Sequence, residues 1–223
     1  MKYCLAIFDF DGTLASSLDG ISACMTDVLT TFGYRAPTIE EVKATVGFTL
    51  EDSIRMLTKR RVTEAQVPAI AKLYRELHDT MAGPSVKLFD GVARLLEELP
   101  SHGIQSVLVS NKGRAGLDRL LERLRIWAFF DLVLSAEDVE HNKPNPELYS
   151  RHIAPGFAKI PRTETLVIGD AEVDIRFAKA AGLSSCWVRY GYGDAAKCRA
   201  LHPDYEIGEV KELRDILRGG GEG

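Results

Sequence analysis

The apolar residues of this chain follow two patterns that predict different secondary structure. Short runs of bulky residues predict buried strands, because a strand covered on both faces is apolar along its whole length. The first run is Tyr3–Phe8, and four more occur at Ser106–Val109, Leu132–Leu134, Leu166–Ile168 and Cys186–Val188. Between the later runs the apolar spacing is helical. Strands that alternate with helices predict an α/β fold with a parallel sheet covered on both faces.

Residues 16–85 carry only the helical pattern. Apolar positions recur every three or four residues from Leu18 to Phe32, and Gly33 is a suitable helix terminator. The pattern ends at Gly83-Pro84. Further helices are predicted in this block near Ile39–Val46, Leu50–Leu57 and Thr63–Met81. Because no strand-like run interrupts the block, we predict an all-helical subdomain inserted after the first strand.

The predicted chain therefore has three parts. Residues 1–15 and 86–218 form the α/β core, and residues 16–85 form the helical cap subdomain, with hinges near Leu14–Ser17 and Gly83–Lys87. Asp90 is predicted to cap the first helix after the chain returns to the core. The glycine-rich tail, residues 219–223, is predicted to be disordered.

Composition narrows the class of protein. The chain has 223 residues, 45% of them hydrophobic, and a net charge of −4 with mixed acids and bases, which argues against a nucleic-acid polymer as partner. No apolar stretch approaches the length of a membrane span, and no secretory signal is recognisable. The four cysteines show no metal-binding spacing. We expect a soluble, cytoplasmic protein that does not bind membranes, and its oligomeric state stays open.

Two acids follow the first predicted strand, in the sequence Ile7-Phe8-Asp9-Phe10-Asp11-Gly12-Thr13-Leu14. Ligands bind at the carboxyl ends of parallel strands, so Asp9 and Asp11 are well placed for chemistry. If both face one cavity, their repulsion is on the order of 4 kcal/mol at 4 Å and an effective dielectric near 20. A divalent cation would remove that cost. The alternative is an ordinary Asp-Gly turn.

Polar groups follow three later segments as well, and each has an ordinary explanation when it is taken alone. Ser110-Asn111-Lys112 suits a phosphate cradle or a helix cap. Lys143, flanked by Pro144 and Pro146, is a stiffly held cation or a solvated loop residue. Asp170 and Asp174 suit metal binding or helix capping. Because the ends of parallel strands gather at one edge, we expect these groups to converge.

The motifs in this order resemble those of the haloacid dehalogenase superfamily, in the subgroup of phosphoglycolate phosphatase-like hydrolases with a helical cap. Asp9-Phe10-Asp11-Gly12-Thr13-Leu14 resembles the first motif and Ser110-Asn111 the second. Lys143-Pro144-Asn145-Pro146 resembles the third, and Gly169-Asp170 through Asp174 the fourth. The resemblance covers nearly all of the chain. It implies a Rossmann-like, three-layer αβα core with a mainly parallel sheet, together with an inserted all-helical cap.

The resemblance also implies a role for each motif residue. Asp9 is the nucleophile that forms an aspartyl-phosphate, and Asp11 is the general acid and then the general base. Asp9, Asp170 and the backbone carbonyl of Asp11 hold Mg²⁺, with Asp174 supporting the metal site. Ser110 and the backbone amide of Asn111 bind the phosphoryl oxygens. Lys143 neutralises charge on the nucleophile and on the phosphate.

The implied activity is a Mg²⁺-dependent phosphatase acting on a small phosphorylated metabolite, with phosphoglycolate as the family-based expectation. A phosphomutase of the β-phosphoglucomutase type is the main alternative, and a non-catalytic binding protein is a further one. A dehalogenase is disfavoured, because a halide leaving group needs neither protonation nor a metal. The cap segment Val46–Asp52 contains no basic residue, so the substrate is not readable.

Two other features are predicted to have structural roles only. The five histidines, His78 among them, form no cluster in the sequence, so packing or surface roles are expected. The stretch Tyr190-Gly191-Tyr192-Gly193 is interpreted as a plain loop, with a place at the rim of the active site as the alternative.

Overall fold

The computed structural model describes residues 2–78, 80 and 85–219, and its centre is a six-stranded sheet with the strand order β5-β4-β1-β6-β7-β8. Every neighbouring pair in this sheet is parallel. The strands are β1 (Leu5–Phe8), β4 (Gln105–Val109), β5 (Leu132–Leu134), β6 (Thr165–Gly169), β7 (Ser184–Val188) and β8 (Tyr205–Ile207). The first strand lies at the centre, and the strand order reverses around it. This reversal leaves a crevice at the carboxyl ends of β1, β4 and β6, where ligands bind in open sheets.

Both faces of the sheet are covered, as the apolar runs predicted. In β1, Ala6 and Phe8 belong to one apolar cluster, whereas Leu5 and Ile7 belong to another on the opposite face. Three helices pack on the first face, namely α5 (Val92–Glu98), α6 (Arg114–Arg123) and α9 (Glu212–Arg218). The second face is covered by the π-helical segment Leu148–Ile153 and by α7 (Glu172–Ala181), beside which lies α8 (Ala195–Ala200). The α/β, Rossmann-like, three-layer architecture is confirmed.

In the part of the chain that the structure describes, four α-helices separate the first strand from the rest of the sheet. They are α1 (Leu18–Thr31), α2 (Ile39–Lys43), α3 (Leu50–Leu57) and α4 (Val67–Leu77). Their buried residues form an apolar cluster of their own, centred on Met25, Ile54 and Ile70. The chain enters and leaves this block through two short antiparallel strands, β2 (Ala15–Ser16) and β3 (Lys87–Leu88). An inserted helical cap is thus present among the residues that the structure describes. The exact domain limits stay a prediction, and Gly83, Pro84 and residues 220–223 lie outside the described residues.

Some local predictions were wrong. Asp90 does not cap α5, because Gly91 is the N-cap residue and adopts a left-handed conformation with φ of 83° and without a side-chain capping bond. The helix predicted at Ile39–Val46 ends at Lys43, and α4 begins at Val67 rather than at Thr63. Met81, the predicted end of the second helix, lies outside the described residues. The edge strand β8 was not predicted, because its three residues include one exposed and one half-buried position.

Among the residues that the structure describes, no helix combines the length and the apolar character needed to cross a bilayer. The cytoplasmic location inferred from the sequence stays a prediction.

Candidate active site

The site begins where β1 ends. Phe8 and Phe10 pack into the same apolar cluster, which fixes the backbone on either side of Asp9. The Asp9 amide donates to the Ile168 carbonyl at 2.9 Å, so pairing with β6 continues past the end of the strand. Gly12 then turns the chain with φ of +86°, and a Cβ there would lie 2.4 Å from Asp170 Oδ2. The turn therefore requires glycine for both its conformation and its close approach to Asp170.

Three buried carboxylates meet at this point. One carboxylate oxygen from each of Asp9, Asp170 and Asp174 lies within 4.8 Å of the other two. Lys143 Nζ contacts Asp9 Oδ1 at 2.6 Å and Asp174 Oδ1 at 2.7 Å. The other oxygen of Asp174 accepts a hydrogen bond from the Ala171 amide, which orients the carboxylate at the start of α7. Asp9, which follows β1, and Asp170, which follows β6, thus lie in one buried cluster with Asp174 and Lys143.

The charge of this cluster favours a cation. Burial and the neighbouring Asp174 raise the pKa of Asp9 to about 7, even though Lys143 opposes the shift. Burial and the charges of Asp9 and Asp174 also raise the pKa of Asp170 well above its usual range. The pKa of Lys143 is raised because its two acidic partners outweigh its burial. Three carboxylates face one ammonium, so a divalent cation with oxygen ligands fits the residues present.

A glycine-rich loop holds Asp170 from the other side. The Tyr192 amide donates to Asp170 Oδ2 at 2.6 Å, and the Thr13 hydroxyl donates to Asp170 Oδ1 at 3.3 Å. A Cβ at Gly191 would lie 2.2 Å from the Asp170 Cβ, and one at Gly193 would lie 2.1 Å from its carbonyl oxygen. The two glycines therefore let the loop pack directly against the acid. The alternative that the Tyr190–Gly193 stretch borders the site is correct.

Asp11 has a different environment from Asp9. Lys112 Nζ lies 3.1 Å from Asp11 Oδ2, and both side chains are nearly buried. Burial alone would raise the pKa of Asp11, but the Lys112 ammonium brings it below its usual value. His78, at the end of α4, is also buried, and its Nε2 has no hydrogen-bond partner among the described residues. Burial and Lys112 lower the pKa of His78 to about 3, so this imidazole is neutral near pH 7.

The end of β4 contributes Ser110 and Asn111. Both are buried, and the Lys112 amide donates to the Ser110 hydroxyl at 3.2 Å. Asn111 Nδ2 donates to the Gly47 carbonyl at 2.8 Å and to the Lys143 carbonyl at 3.3 Å. Gly47 belongs to the cap, so Asn111 joins the cap to the motif that carries Lys143. The amide side chain therefore has a connecting role that the sequence did not predict.

One cavity lies between the cap and the core. On the core side it is lined by Asp9, Asp11, Ser110, Asn111 and Lys112. On the cap side it is lined by residues of α1, α3, α4 and the segment between α2 and α3, and by His78 at the end of α4. The four motif regions predicted from the sequence therefore converge. The sequence did not identify Lys112 as the partner of Asp11, Tyr192 as the support of Asp170, or His78 as a cavity residue.

The fold and the site together define a class. At the carboxyl ends of β1 and β6, under a helical cap, Asp9 and Asp170 form a buried cluster with Lys143 and Asp174. The model of the haloacid dehalogenase-like hydrolases matches residues 6–188 of the chain. The chain belongs to this family of hydrolases.

Similar proteins cover almost the whole chain. A phosphoglycolate phosphatase from Photorhabdus laumondii is 30% identical over 217 residues, which are 94% of this chain and 90% of that protein. A pyrophosphatase from Bacillus mycoides is 28% identical, covering 97% of this chain and 98% of that protein. A solved structure from Bacteroides fragilis, assigned to the haloacid dehalogenase-like hydrolases, is 34% identical with a TM-score of 0.87, covering 95% of this chain and all of that one.

Proposed function

We propose that this protein is a Mg²⁺-dependent phosphatase that hydrolyses a small phosphate monoester through an aspartyl-phosphate on Asp9. The observation that carries the proposal is the buried cluster in which Lys143 contacts Asp9 and Asp174 beside Asp170. The similar phosphoglycolate phosphatase and pyrophosphatase support phosphoryl chemistry. Phosphoglycolate is accordingly the first substrate to test.

Asp9, Asp170 and the backbone carbonyl of Asp11 would hold the Mg²⁺, with Asp174 supporting the site. When bound, the ion supplies positive charge that offsets the negative charge of the phosphoryl group. This assignment agrees with the three carboxylates that face a single ammonium. Phosphoryl transfer depends mainly on such charge stabilisation and on positioning.

In the first step, an oxygen of Asp9 attacks phosphorus and the ester oxygen leaves as an alcohol. Lys143 holds Asp9 by a 2.6 Å contact, so the attacking carboxylate has a fixed direction. Ser110 and the Asn111 amide, at the end of β4, bind the phosphoryl oxygens. Asp11 gives a proton to the leaving oxygen, which requires Asp11 to bind that proton when the negative charge of the ester offsets the effect of Lys112 on its pKa.

In the second step, Asp11 takes a proton from a water molecule, and the resulting hydroxide attacks the phosphorus of the aspartyl-phosphate. The bond between phosphorus and Asp9 breaks, which restores the Asp9 carboxylate and releases inorganic phosphate. The structure suits this step directly, because Lys112 keeps Asp11 in the ionised form that accepts a proton.

The test is phosphate release from phosphoglycolate, nucleotides and sugar phosphates, with Mg²⁺ or with a chelator. We expect release that needs the metal and that is abolished in Asp9→Asn, a change that keeps the shape of the side chain and removes its charge. Asp118→Asn, on α6, is the matched control and should retain the activity. Release that persists in Asp9→Asn would contradict the proposal, and isomerisation of a sugar phosphate without hydrolysis would favour the phosphomutase instead.

A further inference from the structure

The wall that the cap presents to the cavity is mainly apolar. Six apolar or aromatic side chains line it beside the polar residues Thr45, Ser53, Arg75 and His78, namely Ile21, Met25, Val46, Phe48, Leu50 and Tyr74. These come from α1, the segment between α2 and α3, the start of α3, and α4, and they lie across the cavity from the core residues that carry the proposed chemistry. In the proposed reaction the phosphate lies against the core, so the alcohol part of the ester points towards this wall.

Phe48 is the most exposed of the six side chains. The residue is 42% exposed although it lines the cavity. Ligand-binding clefts are lined predominantly by hydrophobic and aromatic side chains, so an accessible phenylalanine in this lining is available to a ligand. Ile39 and Met56 are two further strongly exposed apolar residues of the cap that do not line the cavity, so they provide matched controls.

The cations of the cavity are balanced by acids. Among the residues that the structure describes, Arg75, Lys112 and Arg119 are the arginines and lysines of the lining, and the three acids are Asp9, Asp11 and Glu137. Lys112 pairs with Asp11, and Arg75 lies 2.9 Å from Glu51 and 3.8 Å from Glu137. Two of the three cations are therefore already paired with acids. A second anionic group, such as the carboxylate of glycolate, would gain little from those two.

The basic residues nearest in sequence to the Val46–Asp52 segment do not line the cavity. Arg55 pairs with Asp52 and Glu64. Neither Arg55 nor Lys43 nor Arg61 lines the cavity. The predicted substrate-contacting segment thus offers the ester apolar surface rather than charge.

We infer that the cap selects phosphate monoesters whose alcohol carries an uncharged, apolar or aromatic body, in preference to anionic alcohols such as glycolate. This inference rests on the proposed phosphatase function. Apolar area removed from water drives such binding, and an extra methylene in a complementary pocket changes specificity by about tenfold or more in favourable cases.

The test compares kcat/KM for ethyl phosphate, 3-phenylpropyl phosphate and phosphoglycolate with the full chain in Mg²⁺. The two uncharged alcohols have similar acidity, so their difference reports binding of the apolar body. We expect 3-phenylpropyl phosphate to exceed ethyl phosphate by about tenfold to a hundredfold. We also expect it to exceed phosphoglycolate.

Variants assign the selectivity to the cap wall. Phe48→Ala should lower the ratio of kcat/KM for the phenylpropyl ester to that for the ethyl ester by about fivefold to tenfold. Met56→Ala, which removes a side chain that is 44% exposed outside the cavity, should leave the ratio unchanged. Equal losses for both esters in Phe48→Ala would overturn the inference, because they would indicate a general effect on the enzyme.

The two proposals fail in different ways. Metal-dependent hydrolysis with phosphoglycolate as the best ester would overturn the apolar selectivity and leave the phosphatase standing. The absence of release from all three esters, and from the nucleotides and sugar phosphates, would overturn the phosphatase itself.

Discussion

At the scale of single residues, Lys143 determines the charge balance beneath the cavity. Its side chain is only 2% exposed and contacts two carboxylates. Removal of one partner from a buried ion pair is costly, because the remaining charge is left without compensation in a medium of low dielectric constant. Removal of Lys143 should therefore lower the stability of the folded protein, and this effect can be measured separately from its proposed part in catalysis.

The first prediction concerns Lys143→Met measured in chelator. We expect a loss of about 3–5 kcal/mol in the free energy of unfolding, measured by urea denaturation. Lys197→Met is the control, because Lys197 pairs with Glu172 while its side chain is 64% exposed. Such a surface pair contributes about 0–1 kcal/mol. Equal, small losses in the two variants would show that the Lys143 contacts do not carry the stability of the cluster.

Lys112 gives a second prediction, through the protonation of Asp11. Although burial raises the pKa of Asp11, Lys112 lowers it to a net value below the ordinary one. In Lys112→Gln the pKa of Asp11 must rise, so the ionised form that activates water appears only at higher pH. We expect the acidic limb of the kcat–pH profile to move to higher pH. Lys72→Gln, on the exposed face of α4, should leave the limb in place, and an unmoved limb in Lys112→Gln would contradict the assignment.

At the scale of the elements, the first turn of α1 is hydrogen-bonded to a core side chain, that of Tyr192. The N-cap residue Ser17 makes no side-chain capping bond. Instead, the amides of Ser17 and Leu18 donate to the hydroxyl of Tyr192 at 2.7 and 3.1 Å. The same residue donates its own amide to Asp170. Tyr192 thus connects the start of the cap to the proposed metal site.

The third prediction is that Tyr192→Phe destabilises the protein by about 1–2 kcal/mol, because two amides at the start of α1 lose their acceptor. Urea denaturation measures the change. Tyr34→Phe is the control. The hydroxyl that it removes donates to Gln66 at a half-buried position, so we expect a smaller loss of stability. A loss in Tyr192→Phe no larger than that of the control would exclude the capping role.

The fourth prediction uses the start of α2, where Thr38 and Glu41 form a capping box. The Arg35 guanidinium and the Thr38 amide lower the pKa of Glu41 from 4.5 to about 2. A carboxyl whose pKa is lower in the folded state stabilises that state above its unfolded pKa. This stability is lost as the pH falls from 4.5 towards 2.

Glu41→Gln should therefore be less stable than the parent at neutral pH, and the difference should shrink as the pH falls through this window. Urea denaturation at several pH values measures it. Glu40→Gln, a neighbouring acid on α2 outside the capping box, should show a smaller dependence. A difference that does not vary with pH would contradict the charged capping interaction.

At the scale of the whole molecule, the proposed metal site links the sheet, the loop of Tyr192 and α7. Three acids from the ends of β1 and β6 and from α7 share one buried cluster. A ligand that binds only the folded state stabilises it by mass action. Metal binding at this cluster should therefore raise the stability of the folded protein against thermal unfolding.

The fifth prediction is that Mg²⁺ raises the thermal midpoint of the chain and that chelator reverses the rise. At a hundredfold excess over the dissociation constant, the expected gain is about 2.7 kcal/mol. Asp170→Asn should abolish the response, whereas Asp118→Asn, whose partner is Arg114 on the same helix, should retain it. An equal response to Mg²⁺ in both variants would place the ion elsewhere.

The sequence alone determined the architecture. Runs such as Ser106–Val109 predicted buried strands because a strand covered on both faces must be apolar throughout. The motif order predicted which residues meet, because the carboxyl ends of parallel strands lie at one edge. Asp9, Lys143 and Asp170 accordingly lie together in the structure. Their individual roles stay part of the proposed function.

Only the tertiary structure decided the contacts between distant segments. His78, Tyr192 and the pairing of Lys112 with Asp11 depend on how the cap and the loops pack, and no local pattern records that packing. The cap wall is a similar case, since Ile21, Phe48 and Tyr74 each satisfy an ordinary helical or loop pattern. Hydrophobic spacing specifies which side chains leave water, whereas the shape and charge of a cavity follow from the side chains that the fold places across from them.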